Sequence, residues 1–148
     1  MELERKWDLS VVYWLKTLFT GTPVNIVDSY PSEKMILPTV SVDFDSISTY
    51  MLELGSRKKA KIGSWTIDIF AKTKSQRDEI AFKILTALDE KISVYDYDQG
   101  FPPSVTPSNL GCLDPDNTSM QIVRVIPELV DELYYRAVVT FMAEYTQV

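Results

Sequence analysis

Histidine is absent from this sequence, and with it goes the commonest general base at neutral pH. No Ser-His, Cys-His or histidine-metal arrangement can be built from the chain. Cysteine is limited to Cys112, which excludes an intramolecular disulfide and a multi-cysteine zinc site, so stability has to come from packing. Glycine is sparse, and none of the five falls in the spacing of a Walker or Rossmann phosphate loop. No apolar run approaches the roughly 20 residues that a membrane-spanning helix needs. The net charge of −6 repels phosphates and argues against a free-standing nucleic-acid binder unless a local basic patch overrides it. The opening MELERKWDLS lacks the cationic-then-apolar order of a secretory signal, so the chain is expected to stay in the cytoplasm where it is made.

What remains is a chain of 148 residues, 45% of them hydrophobic, enough for one soluble globular domain with its own core. From Glu2 to Phe19, Leu3, Trp7, Val11, Trp14, Leu15 and Leu18 recur at helical spacing. Gly21 and Pro23 then stop the helix. Tyr13 and Val12 widen its apolar face, as expected of a helix lying in a groove. Val24 to Val27 reads as a weak strand or an extended connection. From Leu37, Val40, Val42 and Phe44 alternate with Thr39, Ser41 and Asp43, the period of a half-buried strand. Further strand runs at Tyr50–Leu54 and Ile62–Ala71, separated by the tip GSRKKAK, suggest a meander of three antiparallel strands.

The period then changes. Ser75 is the expected N-cap of a helix over Gln76–Lys91, with Ile80, Ile84, Leu85 and Leu88 turned inward and Arg77, Lys83 and Asp89 outward. Ile92–Tyr97 returns to strand. From Asp98 to Asn117 four prolines and two glycines predict an irregular surface arm. Ser119–Ile126 and Tyr134–Tyr145, joined by PELVDEL, close the chain as a long C-terminal β-hairpin. The expected class is α+β: an antiparallel or mixed β-sheet with two amphipathic helices packed on it, in a single domain over 1–148.

Chemistry-bearing residues are few. Acidic pairs at Asp43/Asp45, Asp96/Asp98 and Asp114/Asp116 have the spacing to share a hard cation if other oxygens converge, but each also suits a solvated strand end or turn. Cys112 has no basic neighbour in sequence. The cluster Arg57, Lys58, Lys59 and Lys61 locally reverses an acidic chain and reads either as a solvated hairpin tip or as a contact with an acidic partner or DNA. Phe101, Pro102 and Pro103 form a stiff, aromatic-tipped loop that either docks on a partner or tucks over its own core.

Taken in order, LPTVSVDF, LELGSR, WTIDIFAKTKSQRDEIAFKILTAL and ISVYDYDQGFPP resemble the pattern of bacteriophage tail-terminator and neck (head-tail joining) proteins. The matching positions are Leu37–Thr39, Glu53–Gly55, Ile67–Ala71, Ser75–Leu88 and Tyr95–Asp98. The resemblance implies an α+β subunit of a ring homo-oligomer, usually a hexamer, that caps the tail tube and joins it to the head. The implied partners are other copies of itself, the tail tube protein, the neck or connector proteins of the head, and the DNA passing through. The implied location is the tail-head junction of the virion, with no membrane, cofactor or enzyme chemistry. The alternative is a small cytosolic enzyme or ligand-binding domain using carboxylates or Cys112.

Overall fold

Strands dominate the fold because β-branched and aromatic residues alternate with polar ones along much of the chain. Residues 1–29, 36–51, 59–123 and 135–147 are described by the computed structural model. Their order is α1 (Leu3–Leu18), β1 (Asn25–Val27), β2 (Thr39–Met51), β3 (Lys59–Ala71), α2 (Lys74–Ala87), β4 (Ile92–Tyr95), β5 (Asn109–Val123) and β6 (Tyr135–Gln147). The strands form one mixed sheet in the order β1-β2-β3-β6-β5-β4. Only β1 runs parallel to its neighbour. The sheet curls into a half-barrel with two helices packed on it, the α+β architecture expected.

Register explains the core. Val40 pairs with Ile69 and Val42 with Ile67, while Ile69, Ile67 and Trp65 face Ala137, Val139 and Phe141 across the next ladder. Residues directly opposite share a face, so these side chains make one continuous apolar surface inside the curl. Trp65 sits at its centre, fully buried, stacked on Phe141 at 5.4 Å and met edge-on by Phe44 at 5.1 Å. Helix α1 reaches β1 and β2 near one end of the sheet and β4 at the other, and α2 lies against β3, β5 and β6. Residues Lys6 to Val12 of α1 are all buried, a wider arc than one apolar stripe. The groove expected from Tyr13 and Val12 is therefore the concavity of the sheet, although Tyr13 itself stays exposed.

Several expectations are corrected. The strand runs from Leu37 and from Tyr50 are one strand, β2, not two limbs of a meander. A bulge at Asp45, between the pairs Phe44–Trp65 and Ser46–Ser64, resets the alternation in mid-strand and splits one strand into two apparent runs. Helix α2 is capped by Thr73, not Ser75, and begins at Lys74. Thr73 Oγ1 accepts from the Gln76 amide at 3.1 Å while Gln76 Oε1 accepts from the Lys72 amide at 2.9 Å, a capping-box variant set further upstream. The helix stops at Ala87, capped by Leu88. Arg77 is buried, its Nε 3.1 Å from Asp78 Oδ1, and Leu85 is only half-buried.

The proline-rich arm expected over 98–117 is irregular only as far as Ser108. From Asn109 it is strand β5, paired with β4 over Asn109–Leu113 and with β6 from Gly111 to Val123 apart from the bulge between Asp116 and Ser119. Both breakers are accommodated. Gly111 lies where a Cβ would come within 2.2 Å of the Thr146 carbonyl, and Pro115 falls past the end of β4, where no further strand asks for its missing N–H. The PELVDEL connection lies outside the described residues.

Two substitutions test this packing. A Cβ on Gly63 would lie 2.6 Å from the Trp65 ring, which covers the glycine. Gly63→Ala is therefore expected to cost about 1–3 kcal/mol, the range for overpacking a core, and to lower Tm by several degrees. Asp8 is the second. Burial pushes its carboxyl above the ordinary value of 3.8. Arg5, 2.8 Å away, opposes the shift and Asp28 adds to it. The Trp65 indole is near enough to favour the anion but is not aligned to donate, and Oδ1 has no hydrogen-bond partner. A raised carboxyl is better tolerated by the fold when protonated, so its cost is absent at low pH and grows as pH rises above 3.8. In thermal melts Asp8→Asn is expected to exceed the parent at pH 7 by a margin that closes as pH falls toward 3.8.

Candidate functional site

The longest exposed run in the sheet, among the described residues, is the outer half of β2. Every residue of β2 from Asp45 to Tyr50 is exposed, whereas Thr39–Val42 are buried. Among the described residues, β1 covers only Thr39–Ser41, so the outer edge of β2 is open from Val42 to Met51. Ile47 and Tyr50 present large apolar surface there, 37% and 42% exposed. Tyr50 Oη donates to Glu144 Oε2 at 3.1 Å, and this bond raises the phenol above its ordinary value.

The basic cluster is partly visible. Arg57 and Lys58 lie outside the described residues. Lys59 opens β3, its backbone paired with Met51. Lys61, also on β3, reaches back to α1, its ammonium 3.1 Å from Glu4 Oε1. Glu4 is held below its ordinary value, first by a backbone hydrogen bond and then by Lys61. Lys61 thus anchors the hairpin to the body as well as contributing charge.

The second candidate group lies elsewhere. Phe101 is half-buried, packed against the core and edge-on to Tyr97 at 5.1 Å, with the Lys16 ammonium over its ring at 5.2 Å. Pro102 is exposed and Pro103 half-buried beside it. Glu4, which holds Lys61, and Lys16, which covers Phe101, are separated by roughly 18 Å of helix at 1.5 Å per residue. The hairpin and the GFPP loop are therefore two surfaces, not one site.

A cavity of about 420 Å³ opens within the 96–108 loop, lined by Asp96, Asp98, Gln99 and the chain from Pro103 to Ser108. Its carboxylates are already engaged. Lys6 Nζ lies 3.0 Å from Asp96 Oδ1 and 3.1 Å from Asp98 Oδ2, and the Met1 amine lies 3.1 Å from Asp98 Oδ1. Asp98 is lowered first by that amine and then by Lys6, and Lys6 is raised chiefly by Asp96. The acids and Lys6 form a strap holding the loop to α1. The other acidic pairs stay apart from this network: Asp45 accepts from the Thr66 hydroxyl and Asp116 from the Asn117 amide. Cys112 is half-buried in β5. No group of three or more acidic or cysteine side chains placed to hold a metal occurs among the described residues.

Sequence reasoning singled out the tip and the aromatic loop but missed the open edge. Its signal is the uncharged, β-prone run SISTYM, which means an edge only once the register is known. No protein-family model matches this sequence, and no curated protein matches it.

The strap has a defined pH window. The lowered Asp98 stabilises the fold above 3.8 and loses that contribution as pH falls through its folded-state value. The raised Lys6 contributes below 10.5 and loses it as pH rises through its folded-state value. Lys6→Met keeps most of the buried stem and removes the charge. At pH 7 it is expected to speed hydrogen exchange in residues 98–108 several-fold while leaving β3 and β6 unchanged. The difference from the parent is expected to vanish once acid has neutralised both carboxylates that Lys6 meets, Asp96 and Asp98.

Proposed function

We propose that this chain is a structural protein of the neck of a tailed bacteriophage, forming a ring that terminates the tail tube and joins tail to head. The carrying observation is the outer part of β2, whose edge beyond Asp45 is uncharged and, among the described residues, open; in the sequence it runs on toward the basic cluster Arg57–Lys61. A protein whose work is assembly needs surfaces of that kind and no reaction centre. The order of motifs from LPTVSVDF to DQGFPP, which resembles the tail-terminator and neck pattern, supports the same reading.

In this reading copies of the chain form a hexameric ring. Its partners are the tail tube protein below, the connector or neck proteins above, and the DNA that passes through. The basic residues Arg57, Lys58, Lys59 and Lys61 face an acidic tube end, a neighbouring ring or that DNA. The GFPP loop, already seated on Tyr97, is a preformed contact rather than a free arm. The ligand-binding alternative gains no specific support, since the acids lining the cavity of the 96–108 loop are neutralised by Lys6 and the Met1 amine.

A ring subunit is expected to bury on the order of 800 Å² with each neighbour, the size of a standard specific interface. Sedimentation over a concentration series, with and without purified tail tubes, and negative-stain images of the same samples are expected to show closed rings. A strict monomer under all those conditions would falsify the reading. Lys58→Glu with Lys59→Glu is expected to leave Tm within the range of ordinary surface changes, about 0.5 kcal/mol, while weakening tail attachment in a salt-dependent way.

A further inference from the structure

The two long free edges of the sheet are built differently. Beyond β4, the outer edge of β5 carries the features that keep strands from pairing with other molecules: charges at Asp114 and Asp116, Pro115, and a bulge between Asp116 and Ser119 with Asn117 in the left-handed region at φ 51°. Beyond the Asp45 bulge, β2 carries none. Ser46–Met51 has no charge, proline or glycine, is regular in its pairing with β3, and is exposed from Ser46 to Tyr50.

The geometry points to Ser46–Met51 as a strand-addition site whose occupant is the same segment of a second copy, paired antiparallel about a twofold axis near Ser48. Register within the sheet disfavours the other occupant this chain offers. Ser48 is level with Ile62, Ile62 with Glu144, and Glu144 with Asp114. A neighbour set side by side would therefore present the blocked part of β5, next to Pro115 and the end of β4. A twofold instead brings β2 against β2 in the antiparallel sense that the β2–β3 ladder already has. Side chains alternate faces, so an axis at Ser48 sets Ser48 opposite Ser48, Ile47 opposite Thr49 and Ser46 opposite Tyr50. No charge meets a like charge, and the Asp45 bulge ends the added ladder symmetrically. Such a contact is isologous and closes at two copies, so it covers the edge without propagating into fibres.

The pairing belongs to the free chain and does not depend on the ring. A copy paired this way has its hairpin edge occupied, so the dimer and any assembly using that edge exclude one another. The added ladder is short, well under a standard interface, which makes the dimer weak and concentration-dependent.

Sedimentation of the purified full chain over a wide concentration range is expected to show a monomer–dimer equilibrium. Ser48→Lys, which sets two ammonium groups opposite each other at the axis, is expected to weaken it by at least about tenfold without lowering Tm. In a Cys112→Ser background, Ser48→Cys, whose thiols meet at the axis, is expected to form disulfide-linked dimers under mild oxidation, while Ser119→Cys on the β5 edge is not. A parent that stays monomeric at every concentration overturns the inference, as does a dimer indifferent to Ser48→Lys or cross-linked through Ser119→Cys alone. Rings that form normally with Ser48→Lys, in the absence of any parental dimer, overturn the edge pairing and leave the neck reading standing.

Discussion

Seating α1 in the hollow of the curled sheet is the constraint from which the rest of the structure follows. Lys6 to Val12 are buried without interruption, so the helix cannot turn a polar face to water along that stretch. Trp7, Val11 and Val12 meet the apolar interior, but Lys6, Asp8 and Ser10 are carried in with them and must be satisfied where they lie. Lys6 is met by Asp96 and Asp98, Asp8 by Arg5, and the Ser10 hydroxyl accepts the Tyr95 amide at 3.1 Å. Those partners sit on β4, at the start of the following loop and on the helix itself. The polar side of α1 thus fixes where the last short strand and its loop come to rest.

This arrangement also separates the rigid from the projecting parts. The face formed by β3 and β6 is anchored by the Trp65–Phe141 stack and the residues of α2 above it. On the opposite face Thr39, Ser41, Asp68 and Phe70 are buried as well, with Arg136 bridging Asp68 at 2.6 Å and lying over the Phe70 ring. Past Trp65 and Gly63 the sheet continues as the hairpin, tied down by Lys61 to Glu4 and Tyr50 to Glu144. Those polar contacts, between exposed groups, hold the projection in direction without burying it. A surface built so suits a role in assembly, where orientation matters before the partner arrives.

Much of this was legible in the sequence where a single period runs unbroken. The stripes of α1 and α2 and the alternations from Val40 to Phe44, from Trp65 to Ala71 and from Tyr135 to Tyr145 gave the class, both helices and the antiparallel β2–β3 and β5–β6 pairs, but not the β3–β6 ladder between them. Reading failed where long-range pairing overrode local signals. Asp45 looked like a strand end because nothing local reveals a bulge. Gly111 and Pro115 looked like an arm because the neighbours that accommodate them lie on β6 and at the end of β4. The candidate surfaces divide likewise: Phe101 was visible as an aromatic between prolines and glycine, but Lys61 and Glu4 meet across 57 residues, and an open edge exists only relative to a strand order.

The strand order has a consequence for the sequence of events in folding. β6 follows every other described element in the chain, yet it lies between β3 and β5 in the middle of the sheet. Until it is available, the β2–β3 pair and the β4–β5 pair are separate hairpin-like pieces, each with its apolar side and an additional edge open. Their union waits on a ladder joining Ile62 to Glu144 and Ala71 to Tyr135. Closing so long a loop is slow relative to local pairing. A chain emerging from the ribosome therefore holds its sheet in two pieces, linked only through the helices, until its closing strand is free, and a copy that loses β6 to proteolysis would lose the middle of its sheet instead of shedding an edge.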